Sequence, residues 1–264
     1  MAGAGPPRYL SSPTLSLHYL VLNTKRPPFS DPRLRKAANY AVDRRALARQ
    51  PLPHVSGHAT DQYIPQHMPG FEDAFIYPLD GPDVAKARRL AGGRRGTAVM
   101  YTCNESPCLH NAEVVRANLK AIGIDVRIRQ FQFEVLYRKL RASGRSGGVG
   151  RWDIADVGWF ADYADPYDIL NQLFGTVPGL RGGNFNVGHF DEPRFERRLR
   201  RAAGLSGPTR YRTYARLDAG LAGNAAPVVA YANETSNYFF SARIGCEIVQ
   251  PLYGLDLPAL CERG

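Results

Sequence analysis

The residues best suited to chemistry lie in one window, Trp152–Leu170, WDIADVGWFADYADPYDIL. It holds Asp153, Asp156, Asp162, Asp165 and Asp168, and no Lys or Arg occurs between Arg151 and Arg181. In a chain with a formal charge of +10 this is an acidic island. Trp152, Trp159, Phe160, Tyr163 and Tyr167 are interleaved with the aspartates, and both tryptophans of the protein are among them. Aromatic walls supply buried area, and a carboxylate supplies a charge-assisted hydrogen bond to an ammonium. Such a site suits a ligand with apolar parts and a cationic group. The same residues also suit a plain structural use, with the rings as core and the aspartates as caps and turns. Asp165-Pro166 has the form of an N-cap followed by N1; Asp162 has no comparable local use.

Other motifs carry less. The four cysteines fall as Cys103/Cys108 and Cys246/Cys261. Two short-loop disulfides, Cys103–Cys108 and Cys246–Cys261, are expected; free thiols, or a metal site built on Cys103, Cys108 and His110, are the alternatives, although structural zinc normally needs a second ligand pair at close spacing. Gly144-Arg-Ser146-Gly-Gly148 matches G-x-S-x-G, but a nucleophile elbow requires a strand before the serine and a helix after it, the reverse of the order expected here. No phosphate loop, dinucleotide fingerprint or EF-hand spacing is present. No catalytic constellation emerges, and neither a cofactor nor a metal is expected.

The charge comes from 29 Arg against 5 Lys. One reading is a nucleic-acid surface. The arginines are spread along the chain with no accompanying motif, which favours solvated helix faces, so no nucleic-acid partner is expected. An apolar fraction of 44% over 264 residues excludes a disordered chain. The longest apolar stretches, Leu15–Leu22 and Ala225–Ala232, are far short of the roughly 18 residues a membrane span needs. The start, MAGAGPP, has neither a basic region nor an apolar core, so no signal peptide is expected in this chain.

The elements that must position the acidic window follow from periodicity and caps. Asp31-Pro32 starts a helix with Leu34, Ala37, Ala38, Ala41 and Val42 on one face, and Asp43 caps a short second one. Residues 50–82 are rich in proline and predict a long irregular excursion. Asp83–Ala91 predicts a helix closed by Gly92-Gly93. Thr97–Thr102, Ala112–Ile122 and Ile124–Arg129 predict a strand, a helix and a strand, hence a βαβ unit with parallel neighbours. Further helices are expected over Phe133–Arg141, Pro166–Phe174, Asp191–Ala203 and Pro208–Ala222. Further strands are expected over Leu17–Asn23, Trp152–Trp159, Pro227–Tyr231 and Tyr238–Ile244. The fold class is α/β, and the acidic window begins at the end of a strand, where α/β folds usually bind ligands.

The run from Tyr19 to Arg44, YLVLNTKRPPFSDPRLRKAANYAVDR, resembles the family 5 extracellular solute-binding proteins, the peptide- and nickel-binding receptors of ABC importers. DVAKARRL from Asp83, AEVVRANLKAIGIDVRI from Ala112 and the Trp152–Phe174 stretch resemble further family segments in the same order. The resemblance implies a type II periplasmic-binding-protein-like lobe with a βαβ core in a mixed sheet. It divides the chain into 1–18, a residual lobe I segment or leader; 19–224, lobe II; and 225–264, a return into lobe I. Both crossings would share one hinge, placing Asn23 near Val228. Family members are about twice as long, so the chain resembles lobe II with half of the cleft, either excised or fused as a module.

The implied function is that of a truncated solute receptor. It would bind a small peptide or similar solute, work with an ABC transporter permease, act at the cell envelope or outside it, and catalyse nothing. The alternatives are a regulatory or partner-docking module derived from such a receptor and, further off, a basic nucleic-acid-binding module. By resemblance, Asp162 holds the ligand's ammonium beside Trp159 and Phe160, with Tyr163 and Asp165 as neighbours.

Overall fold

In a computed structural model, residues 8–49, 54–145, 148–175 and 185–263 are described. Ser146 of the G-x-S-x-G match lies outside them. The elements run β1 (Arg8–Pro13), β2 (Ser16–Leu22), α1 (Pro32–Ala41), α2 (Arg44–Ala48), β3 (Val55–Ala59), α3 (Val84–Ala91), β4 (Gly96–Cys103), α4 (Cys108–Lys120), β5 (Ile124–Phe131), α5 (Phe133–Arg145), β6 (Ile154–Phe160), α6 (Tyr167–Phe174), α7 (Pro193–Ala203), α8 (Gly207–Gly220) and β7 (Val228–Phe240). Two short ribbons close the chain, β8 (Ile244–Gly245) with β11 (Cys261–Glu262) and β9 (Val249–Gln250) with β10 (Gly254–Leu255).

The main sheet has the order β1-β7-β2-β6-β4-β5, with β3 on the other side of β7. β4 is parallel to β5 over its whole length and parallel to β6 at Met100 and Tyr101. β2 is antiparallel to both β6 and β7. This is an α/β lobe with a mixed sheet and a β4–α4–β5 crossover at its core.

The sheet is covered on both faces, which explains the near-continuous apolar strands. Along β2, Leu17, Tyr19 and Val21 enter one core with Leu136, Leu170, Leu199 and Tyr214 of the later helices. Leu20 and Leu22 enter the other with Leu34, Ala38, Ala87 and Val115 of α1, α3 and α4. The caps act as their residue types predict. Asp31 accepts from the Arg33 amide, Asp43 from Ala46 and Asp83 from Lys86, and Gly92 ends α3 in the left-handed region.

Three expectations change. β3 lies inside the excursion expected to be irregular. Its sequence, VSGHA, has little strand character, and it is made a strand by pairing with residues 232–236 of β7. The two strands expected near the C-terminus start as one, Val228–Phe240. It continues through the polar residues 233–237 because β1 and β3 satisfy its backbone on both sides. α4 begins at Cys108, four residues early, directly after the Cys103–Cys108 disulfide. The second bridge joins Cys246 to Cys261. With both pairs oxidised there are no thiolates for a site with His110, and no cluster of three metal-ligating side chains occurs among the described residues.

Three polar residues of the Tyr19–Arg44 run are internal fasteners. Buried Asn23 donates to the carbonyls of Val149 and Trp152. Asn39 donates to Val228 O at 3.1 Å. Arg44, fully buried, donates to Ala230 O at 2.8 Å and to both oxygens of Asn39. At the other end of β7's core segment, Val21 pairs with Val228 and the Leu22 amide donates to Pro227 O.

The excursion from residue 60 to 77 is held by two buried carboxylates. Asp61 accepts from the Ile76 and Tyr77 amides, both at 2.6 Å. Asp218 of α8 accepts from the Tyr63 and Ile64 amides at 3.0 and 3.1 Å. Burial pushes the Asp218 carboxyl up to about 7, against the stabilising amide bonds. The folded carboxyl therefore holds its proton over a range where the unfolded one, ionising near 3.8, has lost it. Stability from this group is present below the unfolded value and is lost as pH rises to about 7. Thermal melts from pH 4.5 to 7.5 should show a falling midpoint, and Asp218→Asn should flatten that slope. A wild-type midpoint that rises throughout the window, or an unaltered slope in the variant, would contradict the assignment.

Candidate ligand-binding site

β4, β5 and β6 are parallel, so their C-terminal ends share one edge of the sheet. The acidic window turns the corner there. β6 ends at Phe160, residues 161–166 form a loop, and α6 follows at Tyr167. The loop is organised by Asp168, which is completely buried in the first turn of α6. One oxygen of Asp168 accepts both the Trp159 indole Nε1 and the Asp162 amide, each at 2.9 Å. Burial raises the Asp168 carboxyl above its ordinary value, opposed by these two bonds and assisted by the nearby charges of Asp162 and Asp165. Asp168 thus sets the Trp159 ring and the start of the loop relative to each other.

The five residues singled out from sequence separate into different environments. Trp159 is half-buried, its ring edge-to-face with Phe185 at 4.5 Å. Phe160 is 57% exposed and meets the His18 ring edge-on at 6.0 Å. Gly158 makes room for His18, since a Cβ there would lie 3.2 Å from the imidazole. Asp162 is exposed, and its carboxylate has no hydrogen bond or ion pair with another described residue. Tyr163 is 41% exposed, and partial burial beside Asp168 raises its hydroxyl. Asp165 is different: both of its oxygens are taken by Arg210, at 2.7 and 3.0 Å, and one also accepts the Tyr167 amide. This fork ties the loop to α8 and leaves Asp165 without a free oxygen for a ligand.

Beside Trp159 opens a cavity of about 660 Å³. Tyr19, Tyr137, Leu140, Val157 and Phe185 form most of its apolar wall, and Glu134, Arg138 and Arg141 stand at its rim. The Tyr137 hydroxyl accepts from the Gly158 amide at 3.2 Å and donates to the Gly158 carbonyl at 3.4 Å, so α5 is fastened to the end of β6. Burial raises the phenols of Tyr19 and Tyr137, which stay neutral at ordinary pH. The sequence reading did not include Tyr137 or Phe185. The i,i+4 pair Phe133/Tyr137 on α5 carried a helical signal, whereas Phe185, in a loop, carried none.

The arrangement can hold an apolar group against Trp159 while Asp162, whose carboxylate has no partner among the described residues, stands a few residues further along the same loop.

Comparison with known proteins agrees with the fold. The sequence profile described as bacterial extracellular solute-binding proteins, family 5, middle region, matches residues 4–180. A probable di/tripeptide-binding protein of Pseudomonas aeruginosa is 28% identical over 180 residues, covering 66% of this chain and 32% of the relative. Heme-binding protein A of Haemophilus influenzae is 24% identical over 200 residues, covering 73% of this chain and 34% of the relative. Among solved structures, a clavulanic acid biosynthesis oligopeptide-binding protein superposes with a TM-score of 0.84 at 21% identity, covering 97% of this chain and 48% of its own. A Pseudoalteromonas sp. SM9913 dipeptide-binding protein in complex with Met-Leu gives 0.77 at 19% identity, covering 97% and 50%. The chain therefore spans about a third of these curated relatives and half of these structures. A profile matched over two thirds of the residues, on a lobe of the same architecture, leads to one conclusion: the chain belongs to the bacterial extracellular solute-binding proteins of family 5.

Proposed function

We propose that the chain is a solute-binding lobe of an ABC import system, taking a small peptide or a similar solute that carries a free ammonium and an apolar group. The observation that carries this reading is the cavity lined by Trp159 and Phe160 at the C-terminal edge of the parallel strands, with Asp162, which has no side-chain partner among the described residues, two positions further along the same loop. Asp162 pairs with the ammonium, Trp159 and Phe160 form the wall, and Tyr163 flanks it. Asp165 serves to position the loop through Arg210. The lobe acts by binding, not by catalysis, in partnership with a transporter permease at the cell envelope.

The division into 1–18, 19–224 and 225–264 is part of the same proposal. Its support is the ribbon of β1, β3 and the second half of β7, which extends beyond the strands that carry the site. Residues 228–232 pair with β2, so the boundary is better drawn inside β7.

The test is calorimetry with a panel of hydrophobic dipeptides, each with a free or an N-acetylated amine. Free-amine peptides should bind and acetylated ones should bind about tenfold more weakly, since a hydrogen bond to a charged group contributes about 1.5 kcal/mol or more. Asp162→Asn should lower free-amine affinity by the same factor with an unchanged melt. Equal affinities across amine states and in the variant would sink the ammonium assignment, and a collapsed melt would make Asp162 structural.

A further inference from the structure

A second concavity, of about 210 Å³, lies between α7 and α8 and the turn that precedes β7. Its lining is unlike that of the apolar cavity. Arg194 and Arg198, one helical turn apart on α7, face it with Arg216 of α8, and Asn224 stands at the turn. The three arginines are exposed, and none has a hydrogen bond or ion pair with another described residue. Buried Phe195, Leu217 and Leu221 form the floor. Among the described residues Glu192 is the single carboxylate in the lining.

A fourth guanidinium lies behind the floor. Arg35 is buried and donates to Ala225 O at 2.8 Å, and Ala225 itself lines the concavity. Its remaining hydrogen bonds go to the carbonyls of Phe29 and Ser30, and no carboxylate pairs with it within 4 Å among the described residues. The acidic residues that act on it are Asp31 first and Glu192 after it. Here three arginines from two helices line one small hollow over a buried fourth, and among the described residues Glu192 is the carboxylate in its lining.

We propose that this hollow is an oxyanion site for a phosphate group, either free or on a lipid headgroup. Guanidinium groups arriving from several directions suit a tetrahedral anion, whose oxygens accept several forked N–H pairs at once; a planar carboxylate is satisfied by one fork. An apolar floor lowers the local dielectric and strengthens the attraction. Glu192 opposes the anion and limits affinity, so the site is sensitive to salt.

The test uses the whole chain, with inorganic phosphate followed by calorimetry and with vesicles of phosphatidylglycerol or of phosphatidylcholine followed by co-sedimentation. Two double variants are compared, Arg198→Gln/Arg216→Gln and, as a control of equal charge loss, Arg127→Gln/Arg129→Gln on exposed positions of β5. Melts establish that both fold. Saturable phosphate binding that weakens at least tenfold in the first variant and not in the control supports a free oxyanion ligand. Binding to phosphatidylglycerol but not phosphatidylcholine, with the same pattern among variants and no response to free phosphate, supports a headgroup. Absence of saturable binding to either probe overturns the proposal, as does an equal loss in the control, which would reduce the effect to net charge.

Discussion

Arg44→Ala destabilises the chain by about 3–5 kcal/mol, the cost of breaking a buried charged network from one side. At this size that corresponds to a melting temperature lower by about 10 °C. Arg44 is fully buried, and burial brings its guanidinium down to about 10, with Asp61 and the surrounding tyrosines pulling it back up. It ties α2 to α1 through Asn39, to β7 through Ala230 O, and lies over the Tyr77 ring at 5.1 Å. Truncation leaves the Asn39 acceptors without their donor, removes the favourable field at Asp61, and opens a cavity. Arg44→Lys keeps the charge but cannot span three acceptors, so it should recover only part of the loss. Denaturant titration of the three proteins is the measurement. A loss under about 1 kcal/mol in Arg44→Ala would show that water replaces the guanidinium without penalty.

Asp168→Ala should lower stability by about 2–3 kcal/mol, because it strips the acceptor from two partly buried donors. The larger consequence falls on the site. Without Asp168 the Trp159 indole N–H and the Asp162 amide lose their shared acceptor, and the wall and the loop lose their common anchor. Fluorescence can follow this directly. The chain has two tryptophans, and Trp152 is sealed in the core, so a red-shifted emission in the variant reports Trp159. Asp168→Asn retains a carbonyl oxygen that can accept the indole, and it should restore most of the wild-type emission. A variant with full stability and unshifted emission would mean that Trp159 is held by Phe185 alone, and that Asp168 positions nothing.

Local structure was legible wherever one residue's chemistry suffices. Asp31, Asp43 and Asp83 cap helices because their carboxylates reach the next exposed amides, and Gly92 closes α3 because it accepts a left-handed backbone. The strand–helix–strand order of residues 96–131 implied parallel neighbours, and these pair in register along eight residues. The acidic, aromatic window was visible from composition alone. What composition could not divide was its five aspartates. Asp153 bonds Arg26, Asp156 lies buried under Asn111 and Tyr231, Asp165 is clasped by Arg210, and Asp168 anchors Trp159; the Asp162 side chain has no hydrogen-bond or ion-pair partner among the described residues.

Sequence by itself therefore determined the class of fold, because periodicity, caps and turn residues act over a few positions, while the resemblance of its segments pointed to the family and to the window in which to look. Tertiary structure decided which carboxylate lacks a partner among the described residues, since each of the others is defined by one. The longest of those reaches are from Arg26 to Asp153 and from Tyr231 to Asp156. It also decided that VSGHA is a strand and that β7 runs unbroken through polar residues, because a ladder's hydrogen bonds are supplied by distant segments. The cavity beside Trp159 belongs to the same category. Its walls come from β2, α5, β6 and the loop at Phe185, and no local pattern records that these four surfaces meet.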